Sequence, residues 1–296
     1  MLPETMPVCP VRGSVIYPTM VMPIDAGRPI SIRAIDEALA RDRVLLIVSQ
    51  RDKEVETPRP SDLFEVGTAC NILKMRKNPD GSVQVLVQAF ARVRVREWLD
   101  LGDHLEARGE VLADEPGEPI LVKALVREVK DKFQALLKEG KYLAPEVAQF
   151  ILNLEDPSQL ADYVAFHMDF RLEDKQKVLE TANVAERLRA VLVLLEAELA
   201  LIETQRRIQQ QVKEEIDRNQ REYFLREQMK AIQRELHGEE GEQEVEEFRR
   251  KLEALDLPPV VRQEVERELN RFARMHPDSA EASVIRGRPR LLRELS

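Results

Sequence analysis

Between Asn183 and His237 the sequence contains neither glycine nor proline, although the chain has 11 glycines and 17 prolines elsewhere. Residues that break helices are thus excluded from one long stretch, which is rich in Glu, Arg, Gln, Leu and Ala, all good helix formers. A single helix of that length spans about 80 Å at 1.5 Å per residue. Asn183 is a suitable N-cap for it. Leu188, Val191, Leu192, Leu195, Leu199 and Ile202 give its first part an apolar face that can pack on a bundle. Further on, only Ile208, Val212 and Ile216 interrupt the polar residues. That is too little to bury in a globular core, so this part reads as a projecting arm or a narrow coiled-coil seam.

The region before it has a different periodicity. Short Val- and Ile-rich runs at 8–11, 20–24, 44–48, 67–75, 82–89 and 91–98 predict strands. Asp80-Gly81 lies between two of them as a hairpin signal, because glycine supplies the positive φ of such turns. Pro29, followed by Ile32, Ile35 and Leu39, predicts one helix among the strands. The expected product is a small, partly open barrel with an inserted helix. Arg92, Arg94 and Arg96 alternate with Val93 and Val95, which predicts a half-buried strand with a charged outer face. Asp114-Glu-Pro-Gly-Glu-Pro119 is a breaker-rich link. Helices are predicted beyond it at 120–138, 145–154, 157–167 (capped by Asp156) and 172–180, forming one compact bundle. Gly238-Glu-Glu-Gly-Glu reads as a break, followed by two helices at 245–255 and 260–275 in an antiparallel hairpin. The fold class is therefore α+β.

The net charge of −9 opposes general nucleic-acid binding, which needs a basic footprint. Cys9 and Cys70 are too few and too far apart for a disulfide framework or a zinc site, and read as buried small hydrophobes. His104, His167, His237 and His276 show no ligand spacing, so no metal is expected. There is no signal-peptide pattern and no apolar run long enough for a membrane span, which places the expected chain in the cytoplasm with no membrane partner. Acidic pairs such as Glu239-Glu240 lie in polar surroundings unsuited to acid–base catalysis. No catalytic residue is assigned.

The segment Asn219-Gln-Arg-Glu-Tyr-Phe-Leu-Arg-Glu-Gln-Met-Lys-Ala-Ile-Gln-Arg-Glu-Leu236 closely resembles a signature of the Lon ATP-dependent proteases, near the end of their N-terminal region. Pro7-Val-Cys-Pro-Val-Arg-Gly-Ser-Val-Ile-Tyr-Pro-Thr-Met-Val-Met-Pro-Ile24 is similar to the opening of that family. Gly27-Arg28 with Ser31-Ile-Arg33, Asp62-Leu-Phe-Glu-Val-Gly67, Leu160-Ala-Asp162 and Asp174-Lys-Gln176 match as well. The likeness covers roughly residues 6–286. It implies a PUA-like β domain at 1–113, a helical bundle at 114–182, a long helix at 183–237 and a helical hairpin at 238–286. In that family an AAA+ ATPase module and a Ser–Lys protease domain follow. No GxxxxGK[ST] loop is present here, and no Ser–Lys dyad can be placed on any position. ATP and magnesium are accordingly expected in the missing ATPase module, and no cofactor in this region. Residues 287–296 depart from the family pattern and read as an artificial tail.

The resemblance implies a region that tethers unfolded or damaged proteins and helps arrange a hexamer, without catalysis of its own. Tyr17, Met20, Met22 and Pro23, together with Met75, are the candidate substrate-binding patch, since Met is flexible and suits promiscuous binding. Serine at 20 and 22 is expected to weaken capture without loss of fold. Tyr223, Phe224, Leu225 and Met229 cannot all face one narrow seam, and are candidates for subunit or substrate contact. Two rivals stand beside this reading. One is a nucleic-acid-binding module of PUA-like type, the other a coiled-coil scaffold without client contact.

Overall fold

A computed structural model describes residues 2–140 and 143–253, together with Arg262, Glu266, Arg267 and Asn270. The chain divides into two units, Met1–Gln205 and Arg206–Ser296. The first unit is α+β. Its strands are β1 (Met6–Val11), β2 (Val21–Ala26), β3 (Val44–Ser49), β4 (Val66–Lys77), β5 (Val83–Asp100) and β6 (Leu105–Val111). Helix α1 (Pro29–Ala40) lies between β2 and β3, as the Pro29 signal predicts. Four helices follow the strands: α2 (Pro119–Lys138), α3 (Pro145–Asn153), α4 (Pro157–His167) and α5 (Leu172–Glu180). Helix α6 (Val184–Glu253) starts in the first unit and continues in the second.

The sheet order is β2-β5-β4-β3-β1-β6, with a further pairing of β5 to β6. That last pairing closes five strands into a barrel. β5 makes the closure possible through its length. Its first half pairs with β2 from Val83 to Gln88, and its second half pairs with β6 from Val93 to Asp100. Irregularities at Ala69/Cys70 and Ile72/Lys74 on the β4 ladder and at Val95/Glu97 on the β6 ladder bend the strand, as bulges do. The closing strands also approach closely. A side chain at Gly109 would stand 2.5 Å from Val93 Cγ1, and one at Gly67 would stand 2.5 Å from the Ile47 carbonyl oxygen.

The expected two strands at 82–89 and 91–98 are thus one. The sequence reading also passed over β6, because Leu105-Glu-Ala-Arg-Gly-Glu-Val is half charged. Glu106 is nevertheless buried on it, held by Arg41 at 2.8 Å and near His104 Nε2 at 3.4 Å. The caps read from sequence are present. Asp156 Oδ1 accepts from the Ser158 and Gln159 amides, and Asn183 Oδ1 accepts from those of Ala185 and Glu186. The expected break at Gly238 is absent, for α6 runs through Gly238 and Gly241 to Glu253. A helical glycine costs only about 1 kcal/mol, and the flanking Glu residues are good helix formers. Arg249 Nη2 donates to Asn270 Oδ1 at 3.1 Å. The expected helix at 260–275 is otherwise outside the described residues, as is the tail at 287–296.

Three apolar cores hold the first unit. One lies between the sheet and α1, around Ile35, Leu45, Ile47, Cys70, Val85 and Val87. A second gathers Met6, Val8, Leu46, Val48, Val93 and Leu105. The third is the helical core of Val129, Phe133, Leu136, Ile151, Leu160, Leu188 and Val191. It also takes in Val15, Tyr17, Met20 and Val66 from the β region, so the barrel and the bundle are packed through a common interior.

A buried charge cluster crosses the same junction. Arg92 of β5, Asp162 of α4 and Arg187 of α6 are all at most 4% exposed. Arg92 Nη2 lies 2.5 Å from both carboxylate oxygens of Asp162, and its Nη1 donates to Asp114 Oδ1 at 3.1 Å. Arg187 donates to Asp114 Oδ1 at 2.7 Å, to Ser158 Oγ at 2.7 Å and to the carbonyl of Thr181 at 2.8 Å. Two cations face two carboxylates, so the cluster is neutral as a whole. Burial pushes the Asp162 carboxyl up to about 6, against the pull of Arg92 and Arg187. Burial also disfavours ionised Asp114, but hydrogen bonds from Arg187 and Ser158 outweigh it and hold that carboxyl below its ordinary value.

Removing one buried cation leaves carboxylates uncompensated, so Arg187→Ala should cost about 3–5 kcal/mol in urea denaturation of the chain. The Asp162 proton gives a second expectation. Its folded pKa of about 6 lies above the ordinary 3.8, so the native chain binds that proton more tightly than the unfolded chain does. This group therefore contributes stability that is lost as pH rises from about 4 through 6. Asp162→Asn should remove that slope, read as the wild-type minus variant stability at several pH values across the window.

Candidate functional site

Strands β2, β5 and β4 lie side by side, and their alternation sorts two faces. On β5, Val83, Val85, Val87 and Ala89 are buried, while Gln84, Leu86, Gln88 and Phe90 point outward. Directly opposed residues share a face, so Val21, Pro23 and Asp25 of β2 stand beside Gln88, Leu86 and Gln84. On the other side Asn71, Lys74 and Arg76 of β4 stand beside the same three residues. Two more apolar side chains come from the irregular positions. Leu73 lies in the shift between Ile72 and Lys74, and Phe90 lies where β5 slips between Ala89 and Ala91. Bulges re-aim side chains, and both residues are exposed, at 42% and 39%. Val21 is 53% exposed. The result is a solvent-facing surface on which Val21, Pro23, Leu73, Leu86 and Phe90 stand among polar neighbours.

The candidate patch read from sequence does not hold together. Tyr17 and Met20 are 0% and 4% exposed and belong to the helical core. Tyr17 donates its hydroxyl to the Lys175 carbonyl at 2.8 Å, and burial, with the Asp162 carboxylate nearby, pushes its phenol up. This corrects their assignment to an exposed surface. The stiff proline-flanked segment docks on the chain's own helices instead. Met22 is half-buried against the core beneath α1. Pro23 is exposed within the outer face, whereas Met75, 36% exposed, stands opposite buried Val85 and so lies on the other face of the sheet. Val21, Leu73, Leu86 and Phe90 were missed. The signal for two of them was an apolar residue in the polar register of an alternating strand, at Leu86 and Phe90.

In the second unit Tyr223, Phe224, Leu225 and Met229 are 68%, 60%, 54% and 62% exposed. Ile208, Val212, Ile216 and Ile232 are at least half exposed as well. This stretch of α6 carries large apolar side chains in water, which is costly unless something covers them.

Reactive chemistry is sparse. Among the described residues no group of three or more His, Cys, Asp or Glu side chains could hold a metal ion. Cys9 and Cys70 are free and buried; burial pushes the Cys9 thiol up to about 11 and raises that of Cys70 further. Arg92 of the arginine ladder is committed to the buried cluster, and Arg96 pairs with Glu110 on the surface. No helix among the described residues is long and apolar enough to cross a membrane.

The architecture is thus a five-stranded barrel joined through a common core to a helical bundle, with an apolar face turned to solvent on β2, β5 and β4. The chain belongs to the Lon substrate-binding family: the model of the ATP-dependent protease La (LON) substrate-binding domain matches residues 5–197. It is 39% identical over 282 residues to the Lon protease of Brevibacillus choshinensis and 40% identical over 282 residues to that of Escherichia coli (strain K12). Each match covers 95% of this chain, which spans 36% of the length of either relative. Among solved structures, the N terminal domain of Mycobacterium avium complex Lon protease matches with a TM-score of 0.55 and 26% identity. That match covers 65% of this chain and 98% of the other.

The burial of Met20 sets a direct expectation. Met20→Ser should destabilise the chain by about 2–5 kcal/mol, while Met75→Ser at the exposed strand end should change stability by no more than about 0.5 kcal/mol. Parallel urea titrations of the two variants check it.

Proposed function

We propose that this chain is the client-recognition and assembly region of an ATP-dependent protease, and that it performs no catalysis itself. The observation that carries the reading is the face of Val21, Pro23, Leu73, Leu86 and Phe90, exposed on the sheet formed by β2, β5 and β4. Unfolded polypeptides display apolar segments that native proteins bury, so a face of this kind discriminates by what folding hides. Pro23 remains in the patch, whereas Met22 and Met75 lie on the opposite face of the sheet and Tyr17 and Met20 lie in the helical core. Binding at one face should be weak and broad, because an extended chain loses entropy on capture.

The exposed Tyr223, Phe224, Leu225 and Met229 on α6 supply the assembly contacts, with the same region of other subunits or with a client. In a hexamer, six such faces raise the effective concentration of each and compensate for weak single contacts. ATP with magnesium and the peptide-bond chemistry would act in ATPase and Ser–Lys protease modules of the kind the resemblance implies. The setting would be the cytoplasm.

The test is titration of the labelled chain with one protein in native and heat-unfolded forms, followed by NMR at two salt concentrations. Shifts confined to Val21, Leu73, Leu86 and Phe90, with the unfolded form alone and at both salts, support the reading. Val21→Ser with Phe90→Ser should weaken that binding about tenfold with an unchanged melting curve. Absence of shifts with either form would overturn client recognition and leave a scaffold. For assembly, Tyr223→Ala with Met229→Ala should lower the sedimentation coefficient or client capture; equal values for both would overturn the assigned role of the arm.

A further inference from the structure

The apolar outer face has one charged border. Lys74 and Arg76 of β4 lie on it beside Leu86 and Gln84, and both are exposed. Neither forms an ion pair among the described residues. Lys77, at the end of the same strand, is 3.9 Å from Asp36 and 65% exposed. The only carboxylate set in the face by register is Asp25, which accepts from Gln84 Nε2 at 2.8 Å. The chain as a whole carries a net charge of −9, so this cationic edge runs against the general balance. Uncompensated charge beside an apolar stripe affects partner choice and encounter rate more than it affects fold.

We infer that this face selects, among unfolded polypeptides, extended segments in which an apolar run is flanked by carboxylates. The inference rests on the client-recognition reading above and names the substrate class of that site. The apolar run covers Val21, Pro23, Leu73, Leu86 and Phe90, and a flanking Asp or Glu meets Lys74 and Arg76. A segment flanked by Lys or Arg meets like charge at the same border and is disfavoured. The surface suits a polypeptide better than a single-stranded nucleic acid. Among the described residues Phe90 is its only aromatic side chain, whereas sequence-tolerant binding of bases uses several stacking rings.

The test uses the whole chain and three synthetic peptides with one apolar centre, flanked by Glu, Ser or Lys, read by fluorescence anisotropy at low and high salt. The Glu-flanked peptide should bind roughly three- to tenfold more tightly than the Lys-flanked one at low salt, since each exposed pair contributes modestly. The gap should shrink at high salt. Lys74→Glu with Arg76→Glu should reverse the order without changing the melting curve, both positions being exposed. Equal binding of the Glu and Lys peptides would overturn the inference while leaving client recognition intact, and so would a Glu preference that survives the double substitution. Failure of all three peptides, with heat-unfolded protein also unbound, would overturn both readings. An oligothymidylate that binds more tightly than any peptide, and loses binding in the double variant, would overturn both in favour of nucleic acid.

Discussion

The junction between barrel and helices depends on two arginines that water does not reach. Arg92 comes from the strand that closes the barrel, and Arg187 comes from the first turn of α6. Asp162 and Asp114 lie between them, one from α4 and one from the link that follows β6. Four segments far apart in sequence therefore meet at a point where none can shift without stranding a charge. A buried cluster of this kind adds little net stability, because desolvation offsets most of the attraction. Its value is geometric. An apolar contact tolerates sliding, whereas Arg92 donating to two carboxylates, and Arg187 donating to a carboxylate, a hydroxyl and two carbonyls, fix position. The raised Asp162 carboxyl is the physical sign of that compromise, since the site holds the charge against its own low polarity.

Much of this arrangement was legible because periodicity and punctuation agreed. Strands β1, β3 and β4, helix α1 and the four helices α2 to α5 all appeared near their predicted places, and α1 to α4 each begin at a proline. The failures have separate causes. β6 escaped because it is rich in charge, and the burial of Glu106 depends on Arg41, which is distant in sequence. The break at Gly238 was expected from composition, yet two glycines among helix formers tip the balance too little to stop a helix. The charge cluster was invisible, since Arg92 looked like one rung of a solvated ladder.

The candidate site shows the limit more sharply. Tyr17 and Met20 looked like surface because prolines flank them and no strand could hold them in a sheet centre. Nothing local reveals that α5 covers the segment and offers the Lys175 carbonyl to the Tyr17 hydroxyl. The residues that form the outer face, by contrast, were set by register. Leu86 and Phe90 occupy the side of β5 that faces solvent, and the two bulges turn Leu73 and Phe90 into the same plane. An apolar residue in a polar register is a sequence signal, but its meaning depends on which strands come alongside.

The burial of Cys9 and Cys70 has a consequence for the conditions under which such a protein would work. Oxidants and alkylating agents attack the thiolate, and both groups sit where the thiolate is suppressed and solvent is excluded. The folded first unit thus presents no reactive sulfhydryl to such reagents. The placement of both sulfur atoms in the core between the sheet and α1 keeps the fold's own thiols out of that chemistry.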